Sequence, residues 1–378
     1  MSRIAVHSAA HHVRSWLGLA RAAAVRIPRW VAILRTRPAG SGRIRVFYGH
    51  EQVPLPAELI HGGMVKFQRL QAKFPNTPGG FNVLYLGSSS LPRDSRQLLW
   101  LAKKCGAAVV WNQDGVGYPA WHGPGWERVN EPMIRGIRAA DHVFYQSEFC
   151  RLSADRYLGS PSGTSEILYN AVDTRVFLPA PGRTRSGRLT LVLGGTQYQR
   201  YRIEVALGTL AELVQDGLDA RLLVTGRVSW PGEAGGERWT VARAQTLGID
   251  DRVELVGPYS QADAPALLRR GDLLLHTKYN DPCPGVVIEA MSCGLPVVYS
   301  ASGGVPELVG DDAGIGVSAP LDWEQDHRPS PRALADAVLR VLEHLDDHGE
   351  AARRRAVARF DVRPWIERHA EVFEALVG

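Results

Sequence analysis

Short runs of β-type apolar residues alternate with longer runs of helical period from residue 43 onward. The β-type runs, among them IRVFY, FNVLYLG, DLLLHT and PVVYS, are apolar nearly throughout and do not alternate with polar residues. Uninterrupted apolar strands separated by helices are typical of parallel sheets that are covered on both faces. The pattern therefore predicts an α/β chain built on doubly wound parallel sheets.

The alternation is interrupted at residues 178–188, LPAPGRTRSGR, which are rich in proline, glycine and arginine and have no period. We interpret this stretch as a linker between a first domain, residues 41–177, and a second domain, residues 189–360. The last helical pattern, residues 361–378, follows the second domain. Doubly wound sheets bind ligands at the carboxyl ends of their strands, so the cleft between the domains is the expected site.

Residues 1–40 do not share this alternation and form a basic arm. Nine arginines precede the first acidic residue, Glu51, and without them the formal charge of +5 becomes −4 for the rest of the chain. Arg14 and Arg21 lie along the edge of an apolar stripe at helical spacing, formed by Val13, Trp16, Leu17, Ala20, Ala24 and Ile27. Such an amphipathic helix fits a peripheral contact with an anionic membrane. An arm that is packed on the body or disordered is the alternative.

The remaining composition argues against several classes of protein. The four cysteines are scattered without a C-x-x-C pair, so neither a zinc site nor a disulfide framework is expected, and a reducing cytoplasm fits best. No apolar stretch approaches the ~18 residues that span a bilayer. Because the body is not basic, a nucleic-acid partner is not expected. We therefore expect a cytoplasmic protein, with the arm as its contact with the inner face of the cell membrane.

The stretch YNDPCPGVVIEAMSCGLPVVYS, which begins at Tyr279, places one carboxylate in a loop and another in a helix. Asp281 lies in the proline-containing loop, and Glu289 lies about one turn into a helix that starts near Gly285. The free amides of a helix N-terminus, with a glycine that permits close approach, suit a phosphate. A carboxylate one turn further can accept two hydrogen bonds from a ribose diol. The alternative is that Glu289 complements the helix dipole and Asp281 shapes a turn.

These residues resemble the donor-site signature of the retaining glycosyltransferases of family 4. In that signature a Glu, seven residues and a second Glu precede an A-M-x-C-G-x-P-V-V run and a later G-G-x-P-E. The segment ILYNAVDTRVFLP is similar to the family's N-G-V-D-x-x-x-F-x-P, with Ala171 in place of Gly. The resemblance spans about residues 43–378. It implies a GT-B fold with two Rossmann-like domains, the second holding a nucleotide-sugar, the first an acceptor, and the last helix returning to the first domain.

The resemblance assigns Glu289 to the ribose hydroxyls of the donor. It assigns Asp281, one methylene shorter than the family's usual Glu, to the hydroxyls of the transferred sugar. The remaining donor contacts that it implies in this stretch are Pro284, Gly285, Val286 and Val287. Because Asp281 departs from the family pattern, the identity of the sugar stays open.

A second loop, LVLGGTQYQRYRIE, follows the first strand of the second domain and carries Gly194, Gly195 and Thr196. Its two glycines let backbone amides approach a pyrophosphate. The family usually has Arg beside the glycine and Lys about five residues on, and Gly195 takes the place of that Arg. Arg200 and Arg202 are therefore both candidates for the catalytic cation, and the alternative is an arginine that is merely solvated.

In the first domain, Gly62 and Gly63 open a helix after the first strand and resemble the family's glycine pair that faces the cleft. The alternative is an ordinary helix start. His61 and His122 could transfer protons, but a lone histidine is usually structural. Members of the family often carry a histidine in the cleft near the position of Asn112, and this sequence has none there, so we assign no general base.

The loop Trp111–Trp126 is long and mixes aromatic with polar residues. Aromatic faces stack on sugar rings, whereas amides and carboxylates fix hydroxyl groups. We expect acceptor contacts from Asn112, Gln113, Asp114, Trp121 and His122, with ordinary packing as the alternative. The loop also matches G-x-G-x-x-A, but residues separate the strand from the glycines and YPAWHG is a poor helix start, so we reject a dinucleotide site.

The sequence thus predicts a hexosyltransferase-type enzyme that moves a sugar from a nucleoside-diphosphate sugar to a glycan, lipid-linked or other hydroxyl acceptor with retention. Envelope polysaccharide or glycoconjugate biosynthesis is the expected setting. No D-x-D-type pair lies in a suitable loop, so no metal or other cofactor is expected, and helix N-termini and arginine would stabilise the leaving diphosphate. Two alternatives stay open. A GT-B nucleotide-sugar epimerase is disfavoured by the aromatic loop, and a catalytically silent nucleotide-sugar-binding subunit is disfavoured by the two carboxylates.

Overall fold

The computed structural model of the chain describes residues 30–31, 33–34, 42–60, 62–182, 187–230 and 235–378. Most of the predicted arm therefore lies outside the described residues, and so do residues 183–186 of the predicted linker. The apolar stripe with its flanking arginines belongs to that part of the arm.

The first domain is built on a parallel sheet in which neighbouring strands follow chain order. Its strands are β1 (Val46–Phe47), β2 (Val83–Gly87), β3 (Ala108–Gln113), β4 (His142–Tyr145) and β5 (Thr164–Ile167). The helices are α1 (Gly62–Gln71), α2 (Ser95–Lys104), α3 (Pro119–His122), α4 (Trp126–Ala139) and α5 (Glu148–Tyr157). Every residue of β2 is buried, as expected for a strand covered on both faces. Gln113 pairs in register with Tyr145, so the carboxyl ends of β3 and β4 lie side by side.

The second domain has a parallel sheet whose strand order reverses. Its strands are β6 (Leu189–Leu193), β7 (Ala220–Thr225), β8 (Val253–Gly257), β9 (Leu273–His276), β10 (Val297–Ala301) and β11 (Gly314–Ser318), in the order β11-β10-β9-β6-β7-β8. The helices are α6 (Arg200–Gln215), α7 (Gly236–Thr246), α8 (Ala264–Leu268), α9 (Gly285–Ser292), α10 (Val305–Val309), α11 (Pro331–Glu343) and α12 (Leu345–Arg359). The switch point lies between β6 and β9, so the loops after these two strands border a crevice.

Two expectations about local structure are corrected. The sequence predicts no helix start in YPAWHG, but Pro119–His122 form one helical turn because proline is tolerated at the first helical position. Gly123, with a φ of 71°, ends that turn. The predicted series of strands stops at PVVYS, whereas the structure adds β11. That strand is glycine-rich and only partly buried, so it lacks the continuous apolar character used to recognise the others.

The last helix, α13 (Val362–Val377), leaves the second domain and packs on the first. The ring centroids of Phe373 and Phe74 lie 5.2 Å apart. Inside the same hydrophobic cluster, the Tyr85 hydroxyl lies 3.0 Å from Nε2 of His369. The chain therefore joins the two domains by a second crossing, in addition to residues 178–188.

Two residues of the predicted arm, Trp30 and Ile33, pack against the first domain. Residues 30–31 and 33–34 are helical. The Trp30 indole donates to Oδ2 of Asp94 at 3.0 Å, and Ile33 is 3% exposed within the core of the first domain. No helix in the described part of the chain combines the length and the apolar character needed to cross a membrane.

The buried His369 predicts that stability falls in mild acid. Burial lowers the pKa of His369 to about 3, whereas an imidazole in an unfolded chain has a pKa of ~6.5. Below pH ~6.5 the unfolded state binds a proton that the folded state does not bind, so this stability is present above that pH and is lost as the pH falls toward 3. At about pH 5 the loss from this group is roughly 2 kcal/mol.

Urea unfolding between about pH 7 and about pH 4.5 measures this effect. We expect His369→Gln, which removes the titrating group, to show a weaker pH dependence than the parent protein. His344→Gln is the control, because the His344 side chain is 68% exposed. Equal pH dependence in His369→Gln and the parent protein would contradict the prediction.

Candidate functional site

The candidate site lies where the loops after β6 and β9 meet. A Cβ on Gly194 would lie 2.4 Å from Cγ2 of Val286, so glycine is needed for the two loops to come this close. Gly195 has a φ of 83° and open space beside its α-carbon. The first turn of α9 leaves the amides of Gly285 and Val286 without acceptors inside the helix. The crevice therefore offers backbone donors from two sides to an anionic group.

Glu289 lies on α9 and is 4% exposed. Its Oε1 accepts a hydrogen bond at 3.3 Å from Nη2 of Arg69, which belongs to α1 of the first domain. Arg69 also donates to the carbonyl of Ala171. Burial raises the pKa of Glu289, and the charge of Arg69 opposes that rise. A ribose diol bound to Glu289 would therefore share the carboxylate with an arginine of the opposite domain.

Asp281 lies in the loop after β9 between two basic side chains. His276 Nε2 is 3.0 Å from Oδ2, and Lys278 Nζ donates to Oδ1 at 2.9 Å. Burial raises the pKa of Asp281, but Lys278 and His276 outweigh it and hold the pKa well below its ordinary value. Burial lowers the pKa of His276, and the hydrogen bond to Asp281 and the charge of Asp281 oppose that shift. Asp281 is therefore an ionised acceptor held in one orientation, as a contact with sugar hydroxyls requires.

Trp121, on α3 of the first domain, reaches the same group of charges. Its ring centroid lies 4.7 Å from Nζ of Lys278 and 5.7 Å from the ring centroid of Tyr198. Both partners belong to the second domain. The sequence predicts that Trp121 serves the acceptor alone, but it contacts side chains beside Asp281. A substitution at Trp121 is therefore expected to affect both halves of the cleft.

The two candidate arginines lie in different surroundings. Arg200 is exposed, and its guanidinium lies 5.4 Å from the ring centroid of Trp239. Arg202 is 3% exposed, and its Nη1 donates to the carbonyl of Thr196 at 2.9 Å. The charge of Arg202 also helps to lower the pKa of Asp281. The geometry therefore favours Arg202 as the cation beside the glycine loop.

Four polar side chains of the first domain face the loop after β9 that carries Asp281, which we call the donor loop. We call these side chains the polar floor; they are Lys66, Asn112, Gln146 and Asn170. Lys66 Nζ and Gln146 Nε2 both donate to Oδ1 of Asn112, at 2.8 Å and 2.7 Å. Asn170 Nδ2 donates to Oε1 of Gln146 at 2.7 Å and to the carbonyl of Cys283 at 2.8 Å. One network of hydrogen bonds therefore runs from the first domain into the loop that carries Asp281.

The other predicted acceptor residues differ in their access to the cleft. Gln113 has no accessible surface. Its side-chain amide is also fully engaged, because Oε1 accepts from Nε1 of Trp111 at 2.8 Å and Nε2 donates to the carbonyl of Asp114 at 2.7 Å. The structure does not support acceptor contact for Gln113, which instead braces the loop. Asn112 is 1% exposed and its Oδ1 already accepts two hydrogen bonds, so acceptor contact is not supported for it either. Asp114 accepts from the amide of Gly115 at 2.9 Å. His122 is exposed at the end of α3.

The other predicted donor residues surround the two helix starts. Gly62 and Gly63 open α1, but a Cβ on Gly62 would meet nothing within 4 Å, so packing does not require that glycine. Pro284 precedes α9, and its carbonyl accepts from the amide of Val287 at 3.1 Å. The contacts of Gly62, Gly63, Pro284 and Val287 with a nucleotide-sugar remain predictions.

Asp281 and Glu289 are each paired with basic side chains and not with each other. Within the described ranges, no set of three or more His, Cys, Asp or Glu side chains is arranged to hold a metal ion. A metal-independent reaction remains a prediction, which removal of metal ions can test.

Sequence reasoning missed Arg69, Lys278, His276 and Gln146. His276 and Lys278 carry a usable signal, because polar residues that directly follow an apolar strand lie at the binding edge of a parallel sheet. Gln146 follows β4 in the same way. Arg69 carries no such signal, since it lies near the end of α1 and meets Glu289 only through the approach of the domains.

Residues 187–344 match the model of a family described as Glycosyl transferases group 1. The D-inositol 3-phosphate glycosyltransferase of Salinispora arenicola is 32% identical over 221 residues, which are 53% of this chain and 47% of that protein. The chain spans less than half the length of the curated relatives it matches. The family match and these relatives support a glycosyltransferase.

Two solved structures resemble the whole two-domain arrangement. Sucrose-phosphate synthase from Thermosynechococcus elongatus superposes with a TM-score of 0.64 at 20% identity, covering 82% of this chain and 76% of that one. HepE of Anabaena, solved in complex with UDP-glucose, has a TM-score of 0.64 at 18% identity and covers 82% of each chain. The predicted α/β architecture of GT-B type, with two Rossmann-like domains and a cleft between them, is confirmed.

The surroundings of the two carboxylates predict separable effects on donor binding. Glu289→Gln removes a charged acceptor and should weaken bare UDP or GDP by about tenfold to hundredfold, because such hydrogen bonds contribute roughly 1.5–3 kcal/mol. Asp281→Asn should leave nucleotide affinity nearly unchanged and lower transfer, because its predicted contact is with the transferred sugar and not with the nucleotide. Calorimetric titration with bare nucleotide measures the first effect.

Thermal unfolding of the same variants separates binding from stability. Glu254→Gln is the control, since it removes a carboxylate of the same domain, on β8, that pairs with Arg270 at the surface. If Glu289 serves only to neutralise Arg69, Glu289→Gln will unfold at a lower temperature but bind nucleotide like the parent protein. That result would contradict the ribose assignment.

Proposed function

We propose that this chain is a retaining glycosyltransferase that uses a nucleoside-diphosphate sugar and requires no metal ion. The observation that carries the proposal is the pair of buried carboxylates, Asp281 and Glu289, on either side of the start of α9 at the switch point. In this proposal Asp281 holds the transferred sugar and Glu289 holds the ribose.

The leaving diphosphate gains negative charge as the glycosidic bond breaks. The amides at the start of α9 and the guanidinium of Arg202 supply positive charge that is already oriented before the reaction. Preorganised donors of this kind stabilise a developing charge without the cost of reorienting solvent. They take the role that a divalent ion plays in other transferases.

The sugar donor that we propose first is a UDP-sugar, because the structurally similar HepE was solved with UDP-glucose. The acceptor is a hydroxyl group of a glycan or lipid-linked molecule, bound against the first domain near Asp114 and Trp121. A relative is named for inositol 3-phosphate, which makes a phosphorylated polyol a useful first acceptor to test. The setting that we propose is envelope polysaccharide or glycoconjugate biosynthesis.

A donor-hydrolysis screen tests the function directly. The protein is incubated with UDP-glucose, UDP-N-acetylglucosamine, UDP-galactose and GDP-mannose, and released nucleotide and sugar are measured. We expect slow hydrolysis of one donor, release of the sugar in the anomeric form of the donor, and a rate that changes less than about twofold with EDTA. Asp281→Asn should abolish most of that turnover.

Other outcomes of the screen contradict specific parts of the proposal. Interconversion of the nucleotide-sugars would identify an epimerase, and binding without turnover would identify a silent subunit. Loss of activity in EDTA that Mg²⁺ or Mn²⁺ restores would overturn the metal-independent mechanism. Release of the opposite anomer would overturn retention.

We also propose that the part of the arm before Trp30 holds the enzyme at an anionic membrane surface. Each arginine near such a surface contributes ~1 kcal/mol, so a few suffice for peripheral binding.

A deletion that tests this proposal should end before Trp30, because the burial of Ile33 makes a longer deletion disruptive. The fraction of protein that sediments with anionic vesicles should be smaller for the variant that lacks residues 1–29 than for the parent protein. The parent protein should not sediment with zwitterionic vesicles. Unchanged binding to anionic vesicles would contradict the proposal.

A further inference from the structure

The first turn of α5 receives a carboxylate from the opposite domain. Glu307, on α10 of the second domain, accepts from the amide of Glu148 at 2.7 Å and from the amide of Phe149 at 2.9 Å. The hydroxyl of Tyr169 donates to the same carboxylate at 3.1 Å. Both carboxylate oxygens are therefore engaged by the first domain.

These contacts satisfy groups that a helix cannot satisfy by itself. The first amides of a helix have no acceptor inside it and carry partial positive charge. The N-cap of α5, Ser147, accepts only from the amide of Cys150, at 3.1 Å, so the two preceding amides depend on Glu307. A carboxylate that binds two amides through two oxygens gives strong, directional bonds. The contact therefore favours one orientation of the domains.

The same junction includes the loop that carries Asp281. Ser147 Oγ donates to the carbonyl of Pro282 at 2.8 Å, and the amide of Gly304 donates to the carbonyl of Asp281 at 2.9 Å. A Cβ on Gly304 would lie 1.9 Å from the Pro282 carbonyl oxygen, so the backbones are in close contact. Gln146, which precedes Ser147, belongs to the polar floor. The start of α5 thus connects the donor loop to that floor.

We propose that Glu307 is a positioning residue for sugar transfer, which holds the two domains in the arrangement where Asp281 faces the polar floor of the first domain. This inference rests on the proposed function for its kinetic consequence. Glu307 acts through α5 and the donor loop and touches neither the donor nor the acceptor.

Glu307→Gln tests the role with little change in shape. A glutamine presents one acceptor and an NH₂ group to two amide donors, so one bond and the charge are lost. We expect kcat to fall at least about tenfold. Because the donor contacts within the second domain remain, the affinity for bare nucleotide should change less than about threefold. Glu148→Gln is the matched control, because it removes a carboxylate at the same helix start that pairs with Arg151 of its own helix.

Small-angle scattering with and without UDP gives a readout that does not depend on activity. We expect Glu307→Gln to have a larger radius of gyration than the parent protein and the Glu148→Gln control. If the parent protein turns over no donor, the proposed function fails, and the scattering comparison still decides the role of Glu307. Parent-like scattering and a parent-like kcat in Glu307→Gln would overturn the inference.

A second variant covers the case in which Glu307→Gln does not fold. Tyr169→Phe removes one of the three hydrogen bonds to the carboxylate and leaves its charge in place. We expect the same changes in scattering and kcat, at a smaller size. If Tyr169→Phe folds and behaves like the parent protein in both measurements, the inference is overturned.

Discussion

Asp281 and Glu289 are buried in the cleft, and each needs a positive charge beside it. Because one of these positive charges comes from the opposite domain, neutralising the carboxylates also holds the two domains together. Removing an ion from water costs several kcal/mol unless opposite charge or hydrogen bonds replace its hydration. Asp281 is neutralised within its own loop by Lys278, whereas Glu289 is neutralised by Arg69 of the other domain. The charge of Glu289 therefore stabilises the approach of the domains.

This coupling has a consequence for donor binding. In the proposed function, a nucleoside diphosphate would bring negative charge to a crevice where Arg69 and Arg202 already donate to a carboxylate and to carbonyl oxygens. These guanidinium groups and the backbone amides at the start of α9 would be held in place before the nucleotide-sugar arrives. Preorganisation of this kind is what lets fixed charges contribute more to a reaction than mobile solvent does.

The junction at α5 supplies directional hydrogen bonds in addition to that electrostatic attraction. Glu307 binds two backbone amides through two oxygens, and Asn170 links Gln146 to the carbonyl of Cys283. Attraction between charges permits a range of orientations, but a network of this kind permits few. The two types of contact together explain how a cleft formed by separate domains can hold Asp281 in a fixed position relative to the polar side chains of the first domain.

Some features of the site could be predicted because they depend on residues close in sequence. The loop of Asp281 and the start of α9 follow from an apolar strand, prolines, a glycine and a helical pattern. The role of Gln113 was not predictable in this way, because only the folded structure brings the Trp111 indole to its amide and removes it from the cleft. Likewise the distinction between Arg200 and Arg202 depends on where Trp239 and the Thr196 carbonyl lie.

The sequence by itself determined the two parallel sheets, the break between them and the segments that border the crevice. Those features depend on hydrophobic period and on glycine and proline, which act over a few residues. Only the tertiary structure decided that Glu289 pairs with Arg69, that Glu307 caps α5 and that Trp121 contacts Lys278. Each of these contacts joins residues from different domains, and no local pattern specifies a pair whose members meet only when both sheets have formed and closed on one another.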